Sequence, residues 1–133
     1  MRLPIALATL TLALAQSAAA DAPMDVHLDV PQDKGPQRVN VLVREFPVGG
    51  GSGWHIHPGT EIAYLLQGEM SLEEAGKPRR VLKPGDSFTV ARGVPHNGAN
   101  LGQVPARLVI TYVVDKDAPV RTAVEPPREH LHH

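Results

Sequence analysis

Short stretches rich in apolar residues, several of them alternating with polar ones, occupy the middle of the chain. They lie at residues 38–46, 61–66, 69–75, 80–82, 87–91 and 104–114. Successive side chains of a β-strand point to opposite faces of a sheet, so these stretches predict strands with buried faces. The first strand would place two sets of side chains on opposite faces, Val39, Val41 and Val43 against Leu42 and Phe46. No stretch keeps a helical period, and the expected fold class is therefore all-β.

Glycine and proline separate the predicted strands. The chain has 12 Gly and 13 Pro, and they are frequent at residues 47–53, 83–86 and 92–95. Short strands between such turn signals are typical of an antiparallel sandwich or barrel. The four glycines within residues 47–53 do not indicate a phosphate-binding loop, because no lysine-serine pair and no helical pattern follow them. We interpret this segment as a flexible loop beside a pocket.

The start of the chain has the pattern of a secretory signal peptide. Arg2 precedes an apolar run at residues 5–15, and Ala18, Ala19 and Ala20 are small enough for cleavage. The run is shorter than the roughly 20 residues that span a bilayer, which disfavours a membrane anchor. Only one arginine precedes it, so no twin-arginine signal is visible. We expect cleavage near Ala20, a periplasmic or secreted location, and no membrane contact afterwards.

The remaining segments divide the chain further. Residues 21–37 are rich in proline and charge and predict an N-terminal arm or edge strand. Residues 38–114 hold the predicted strands and form the expected β-domain. Residues 115–133 are again rich in proline and charge, which predicts a loose, flexible C-terminal tail.

Composition and charge narrow the possible chemistry. The chain has no cysteine, so no disulfide braces the fold and no thiolate can bind a metal. Its formal net charge is −1, which argues against electrostatic binding of nucleic acid. Stability must come from packing, helped by a metal ion or a partner subunit.

Four residues form a candidate metal site. His55 and His57 are two apart, so in an extended strand both imidazoles point to the same face. A tight turn at Pro58-Gly59 would bring Glu61 back to the same point from the next strand. His96 is the fourth candidate. Three imidazole nitrogens and one carboxylate oxygen suit a divalent transition metal.

The alternative to a metal site is a vestigial, metal-free pocket or a hydrogen-bonded polar core. Burying the four groups without a metal would be costly, which favours the metal. Three nearby residues also have two interpretations each. Trp54 and Tyr64 either line the cavity or pack between the sheets, and Arg44 either meets an anionic substrate or faces solvent.

The spacing of these residues resembles the two sequence motifs of the cupin superfamily. The first motif is matched by Gly49, His55, His57, Glu61 and Gly68, and the second by Gly85, Gly93, His96 and Asn100. Ala91 stands where the family usually has proline, which affects the rigidity of a turn rather than a ligand. The motifs span residues 49–100 and are closely spaced, as in small single-domain bacterial cupins similar to quercetin dioxygenase.

The resemblance implies an antiparallel double-stranded β-helix, or jelly-roll barrel, with His55, His57, Glu61 and His96 as metal ligands inside it. Iron, manganese, nickel, copper and zinc are all compatible with these donors. The resemblance also implies a catalytic role for Glu61, as a general base beside the metal. Many cupins dimerise through sheet edges, so we expect a homodimer that uses the arm near residues 27–30.

Three functional hypotheses remain open from the sequence. The first is an exported, metal-dependent enzyme, dioxygenase-like, acting on a small organic molecule, or an oxygen-independent isomerase or lyase with the same ligands. The second is a non-catalytic periplasmic module that binds a small ligand or a metal. The third is a purely structural protein.

Overall fold

The computed structural model describes residues 35–128. The predicted signal peptide at 1–20, the arm as far as residue 34 and the end of the tail from residue 129 lie outside the described residues. In the described part, no helix is long and apolar enough to cross a membrane. This part consists of nine strands: β1 (Gln37–Phe46), β2 (His55–Ile56), β3 (Gly59–Gln67), β4 (Met70–Glu74), β5 (Arg80–Leu82), β6 (Ser87–Val90), β7 (His96–Asn100), β8 (Ala106–Asp115) and β9 (Thr122–Ala123).

The strands form two antiparallel sheets. One has the order β1-β8-β3-β6, and the other has the order β5-β4-β7-β2-β9. Strands that are distant along the chain lie side by side, since β8 pairs along its whole length with β1 and also pairs with β3. This is the double-stranded β-helix, or jelly roll, and it confirms the predicted all-β class.

Apolar side chains from both sheets meet in a single core. Leu65 on β3 is completely buried, and Leu108 on β8 and Leu82 on β5 are almost as well covered. Each such side chain contributes about 1.5–3 kcal/mol through the hydrophobic effect. The other buried apolar residues of this cluster are Phe46, Ala63, Met70, Leu72, Phe88, Val90, Ala106 and Ile110.

Strand β1 separates its two faces as predicted. Phe46 is buried and Leu42 packs against the core, whereas Val39, Val41 and Val43 are 62%, 66% and 55% exposed. Period-two alternation predicts that the two sets lie on opposite faces, but both sets are apolar. Pairing with β8 decides which set faces inward.

Gly59, at the start of β3, allows two strands to approach closely. A Cβ atom on this residue would lie 2.1 Å from the carbonyl oxygen of Val113 and 2.6 Å from the Cα atom of Val114, both on β8. Any side chain would therefore push β3 away from β8. The close approach sets the position of Glu61, two residues further along β3.

Two strands escaped the sequence analysis. Strand β7 contains two asparagines and a glycine, which have low strand propensity, and it forms because β4 supplies its pairing partners. Strand β9 lies in the segment expected to be a loose tail, and it pairs with His55 and Ile56 of β2. For Thr122 and Ala123 the expectation of a loose tail is therefore wrong, because their backbone groups extend the second sheet.

Candidate metal centre

The structure brings together the four candidate ligands. His55 lies on β2 and His96 is its antiparallel partner on β7. The chain then crosses from one sheet to the other through Pro58, and Glu61 projects from β3 in the opposite sheet. The four ligand atoms lie within 4.8 Å of one another, and all four residues are buried.

The separations within the cluster are short. His55 Nε2 lies 3.2 Å from His57 Nε2. Glu61 Oε2 lies 2.9 Å from the Nε2 atom of His57 and 2.9 Å from that of His96. All four side chains therefore direct their terminal polar atoms at one small volume.

Backbone carbonyl groups orient the three imidazole rings. Each ring donates a hydrogen bond from Nδ1: His55 to Gly53 at 2.7 Å, His57 to Val120 at 2.5 Å and His96 to Val94 at 2.9 Å. A carbonyl oxygen can only accept, so the proton of a neutral ring must lie on Nδ1. The Nε2 lone pairs then point into the cluster, which is the arrangement that metal-binding histidines require.

The cluster needs a positive charge at its centre. Three Nε2 lone pairs and a carboxylate oxygen repel one another unless protons or a metal ion lie between them. Burial alone would raise the pKa of Glu61, but hydrogen bonds with His57 and His96 outweigh burial and lower this pKa to about 2. Such hydrogen bonds need a second proton on each ring. A divalent cation would satisfy the same four acceptors without these protons.

The surroundings of His55 favour its neutral form. Its burial disfavours the charged ring, and the pKa of His55 falls to about 4. The neutral ring is the form that binds a metal. The residues thus fit a divalent transition metal through three nitrogens and one oxygen, and this donor set does not select among iron, manganese, nickel, copper and zinc.

A cavity of about 740 Å³ adjoins the cluster. Its walls are largely apolar, with Leu42, Phe46, Met70, Leu72, Leu82, Phe88, Leu108 and Ile110 among the lining residues. Tyr112 also lines it, with its ring centroid 4.7 Å from that of His57. Burial, together with the negative charge of Glu61, raises the pKa of Tyr112 to about 12, so its hydroxyl keeps its proton at neutral pH.

The structure shows where the three residues with two interpretations lie. Arg44 lines the cavity and is also exposed to solvent, whereas Trp54 and Tyr64 are not among the lining residues. Both aromatic residues are half-buried elsewhere in the described part of the chain. Tyr64 alternates with the buried Ala63 and Leu65 of β3 and therefore lies on the outer face of its sheet, so neither interpretation holds for it.

The sequence analysis missed two contributors to the site. Val120 accepts the hydrogen bond from His57, and Arg121 lines the cavity and donates to the carbonyl oxygen of Ser52. A signal was present, because Val120, Thr122 and Val124 alternate with Arg121 and Ala123 in a β-branched pattern. The prolines and charges around it concealed this short strand.

The fold and the cluster define a class of protein, an all-β jelly roll whose interior can hold a divalent metal. The cupin domain family matches residues 42–112, which include all four cluster residues. The chain belongs to the cupin family, as the two motifs indicated. The narrower resemblance to quercetin dioxygenase stays a prediction.

The proteins to which this chain is similar include oxidases and a lyase. Oxalate oxidase 1 from Hordeum vulgare is 33% identical over 95 residues, covering 64% of this chain and 47% of the relative. A structure of oxalate oxidase in complex with the substrate analogue glycolate has a TM-score of 0.58 at 29% identity, covering 65% of this chain and 46% of that one. The DMSP lyase DddQ from Ruegeria pomeroyi DSS-3 has a TM-score of 0.58 at 27% identity, covering 65% and 43%. This chain thus spans less than half the length of these relatives.

Proposed function

We propose that the chain is a metal-dependent enzyme that converts a small organic molecule bound beside the cluster of His55, His57, Glu61 and His96. The observation that carries the proposal is the position of this buried cluster next to a cavity of about 740 Å³. A structural metal site is closed, whereas a catalytic site keeps room for a substrate. The similarity to proteins named as oxalate oxidases and a DMSP lyase supports a small organic substrate.

Each residue of the cluster has a proposed role. The three histidines would hold the metal through Nε2, and Glu61 would hold it through a carboxylate oxygen. A bound divalent metal polarises oxygen donors of a substrate and makes their protons easier to remove. Glu61 is ionised at neutral pH, since its pKa is lowered to about 2. It becomes a useful proton acceptor only when its carboxylate separates from the metal, and we propose that substrate binding causes this separation.

The reaction that we place first is a dioxygenase-like oxidation, and an isomerisation or elimination without oxygen would use the same residues. The test measures turnover and metal content together. The purified protein is incubated with pooled phenolics, hydroxy acids and sugars, and its metal is identified by mass spectrometry. We expect substrate loss in the wild type and no loss in a Glu61→Gln variant that still contains metal.

The matched control is Glu74→Gln. Glu74 is as well buried as Glu61, at 4% exposure each, but it pairs with Lys77 and stands outside the cluster. Its variant should keep turnover. If the wild type binds a compound saturably but does not convert it, the protein is a non-catalytic binding module. If it is stable and binds neither metal nor ligand, it is a structural protein.

We further propose that the protein is exported and that it forms a homodimer. The apolar run behind Arg2 supports export. N-terminal sequencing of the protein from its native host should find a start near Asp21, and an intact Met1 in the mature protein would contradict export.

The exposed valines of the edge strand β1 support the dimer, because such edges commonly pair with a second copy. Light scattering should show a dimer for the wild type and a monomer for Val41→Lys. Deletion of residues 21–30 should weaken the dimer if the arm takes part. A monomeric wild type at micromolar concentration would refute the proposal.

A further inference from the structure

The charges around the cavity are strongly unbalanced. Arg38, Arg44 and Arg121 line it, and Glu61 is the one acidic residue among its described lining residues. The chain as a whole has a formal net charge of −1, so this excess of positive charge is local. A metal at the cluster would increase it. A cavity with one sign of charge and apolar walls concentrates ligands of the opposite charge.

Two of these arginines come from opposite sheets. Arg44 is on β1, where its guanidinium carbon lies 5.3 Å from the centroid of the Phe46 ring. Arg121 immediately precedes β9, and its donation to the carbonyl oxygen of Ser52 anchors it beside the loop that leads to His55. Both arginines line the same cavity as His55 and as Tyr112, whose ring lies against His57. The two charges therefore belong to the cavity that also contains the cluster.

The apolar walls of the cavity set a second requirement for a ligand, which is an apolar surface of its own. Eight leucine, isoleucine, phenylalanine and methionine side chains line the cavity, whose volume is about 740 Å³. Pockets of about 300–1,000 Å³ suit ligands of drug-like size. A two-carbon acid would contact little of this surface, so much of the apolar wall would remain in contact with water.

We propose that the cavity binds a carboxylic acid with an apolar body the size of an aromatic ring, and that Arg121 and Arg44 hold its carboxylate while Leu42, Phe88 and Ile110 contact the body. Arginine suits this task because its planar group can donate two parallel hydrogen bonds to a carboxylate. This inference rests on the proposed function, since it names the substrate class of the same cavity. It also makes Arg121, from the segment expected to be a loose tail, a residue that selects the ligand.

The experiment measures binding rather than turnover. Isothermal titration of the purified protein uses three probes: 3-phenyllactate, its uncharged methyl ester, and glycolate, which has the acid group without the apolar body. Metal content is measured in every sample. We expect 3-phenyllactate to bind at least about tenfold more tightly than either the ester or glycolate, because only this probe satisfies both the charge and the apolar walls.

Variants distinguish direct binding of the carboxylate by these arginines from a general effect of positive charge. Arg121→Gln and Arg44→Gln should each weaken 3-phenyllactate binding, Arg121→Gln by about tenfold, while metal content stays at the wild-type level. Arg121→Lys should recover part of the loss. The matched control is Arg107→Gln, which removes the same charge from an exposed strand position paired with Glu45 and outside the cavity lining.

Three results would overturn the inference. The first is equal binding of the acid and its ester, and the second is equal binding of glycolate and 3-phenyllactate. The third is a loss of binding in Arg107→Gln as large as that in Arg121→Gln. If 3-phenyllactate binds as expected but no pooled compound is converted, the proposed enzyme fails while the ligand class stands. If turnover occurs but 3-phenyllactate does not bind, the ligand class fails alone.

Discussion

Removing the metal should destabilise the protein by an amount that the cluster geometry makes measurable. The Nε2 atoms of His55 and His57 face each other at 3.2 Å, and the Glu61 carboxylate lies 2.9 Å from the Nε2 atoms of His57 and His96. Without a cation, only additional protons can relieve the repulsion among these acceptors. The unfolded chain does not hold these groups together, so a metal binds almost entirely to the folded state. Its binding free energy therefore adds to the free energy of unfolding.

The magnitude follows from mass action. At a free metal concentration one hundred times the dissociation constant, the added stability is about 2.7 kcal/mol. The described residues 35–128 form a domain of about 90 residues, whose unfolding entropy near the midpoint is about 0.19 kcal/mol/K. The expected rise in the thermal midpoint is therefore about 14 °C.

The assay is calorimetry of chelator-treated protein before and after addition of each candidate metal. Glu61→Gln keeps the shape of the side chain but replaces a charged ligand with an amide, and we expect it to lose about one hundredfold in metal affinity, the upper end of the losses found when groups around a metal are changed. At the same metal concentration the remaining gain is about 0.4 kcal/mol, or about 2 °C. Glu74→Gln, which is equally buried and outside the cluster, should keep the full rise.

One outcome would refute this reasoning directly. If the thermal midpoint of the wild type does not change with chelation or with any of the five metals, the four acceptors do not form a metal site. A Glu61→Gln variant with the full rise would show that the metal binds elsewhere.

Three further predictions concern the fold. Leu65→Ala should lower the free energy of unfolding by about 2–5 kcal/mol in chemical denaturation, and Leu66→Ala, at an adjacent leucine that is 44% exposed, should change it by less than about 1 kcal/mol. Gly59→Ala should abolish cooperative unfolding or metal binding, because its Cβ would lie 2.1 Å from a carbonyl oxygen of β8; a fully stable variant would disprove the close approach. Hydrogen bonds from Arg92 lower the pKa of Asp115 below its ordinary 3.8, so this ion pair stabilises the fold above pH 3.8 and the stabilisation is lost as the pH falls through the lowered pKa. The difference in thermal midpoint between the wild type and Asp115→Asn should therefore disappear in acid, and a constant difference would contradict the assignment.

Local information in the sequence determined most of the strands and the grouping of the ligands. Alternation and turn residues predicted β1, β3, β4, β5, β6 and β8, because side-chain period and turn geometry depend on neighbours in the chain. His55 and His57 are two apart and Glu61 follows within the next strand, so their convergence needed only a short connection. The spacing motif added His96, which residue-by-residue propensity could not have linked to the other three.

The tertiary structure decided what depends on contacts between distant segments. The face of β1 that carries Leu42 also carries Arg38, Asn40 and Arg44, whereas the opposite face carries three valines. Local hydrophobicity would therefore bury the valines, and pairing with β8, which puts Leu42 opposite the buried Ile110, decides that Leu42 faces inward. The low strand propensity of β7 is overcome by its pairing with β4. Val120 and Arg121 lie among prolines and charges that locally indicate a tail, yet they meet His57 and the cavity because β9 pairs with β2, more than sixty residues away in sequence. A short alternation at Val120, Thr122 and Val124 indicates a strand but not its partner, because backbone pairing between distant segments is not encoded in local periodicity. The hydrogen bond to His57 depends on that pairing.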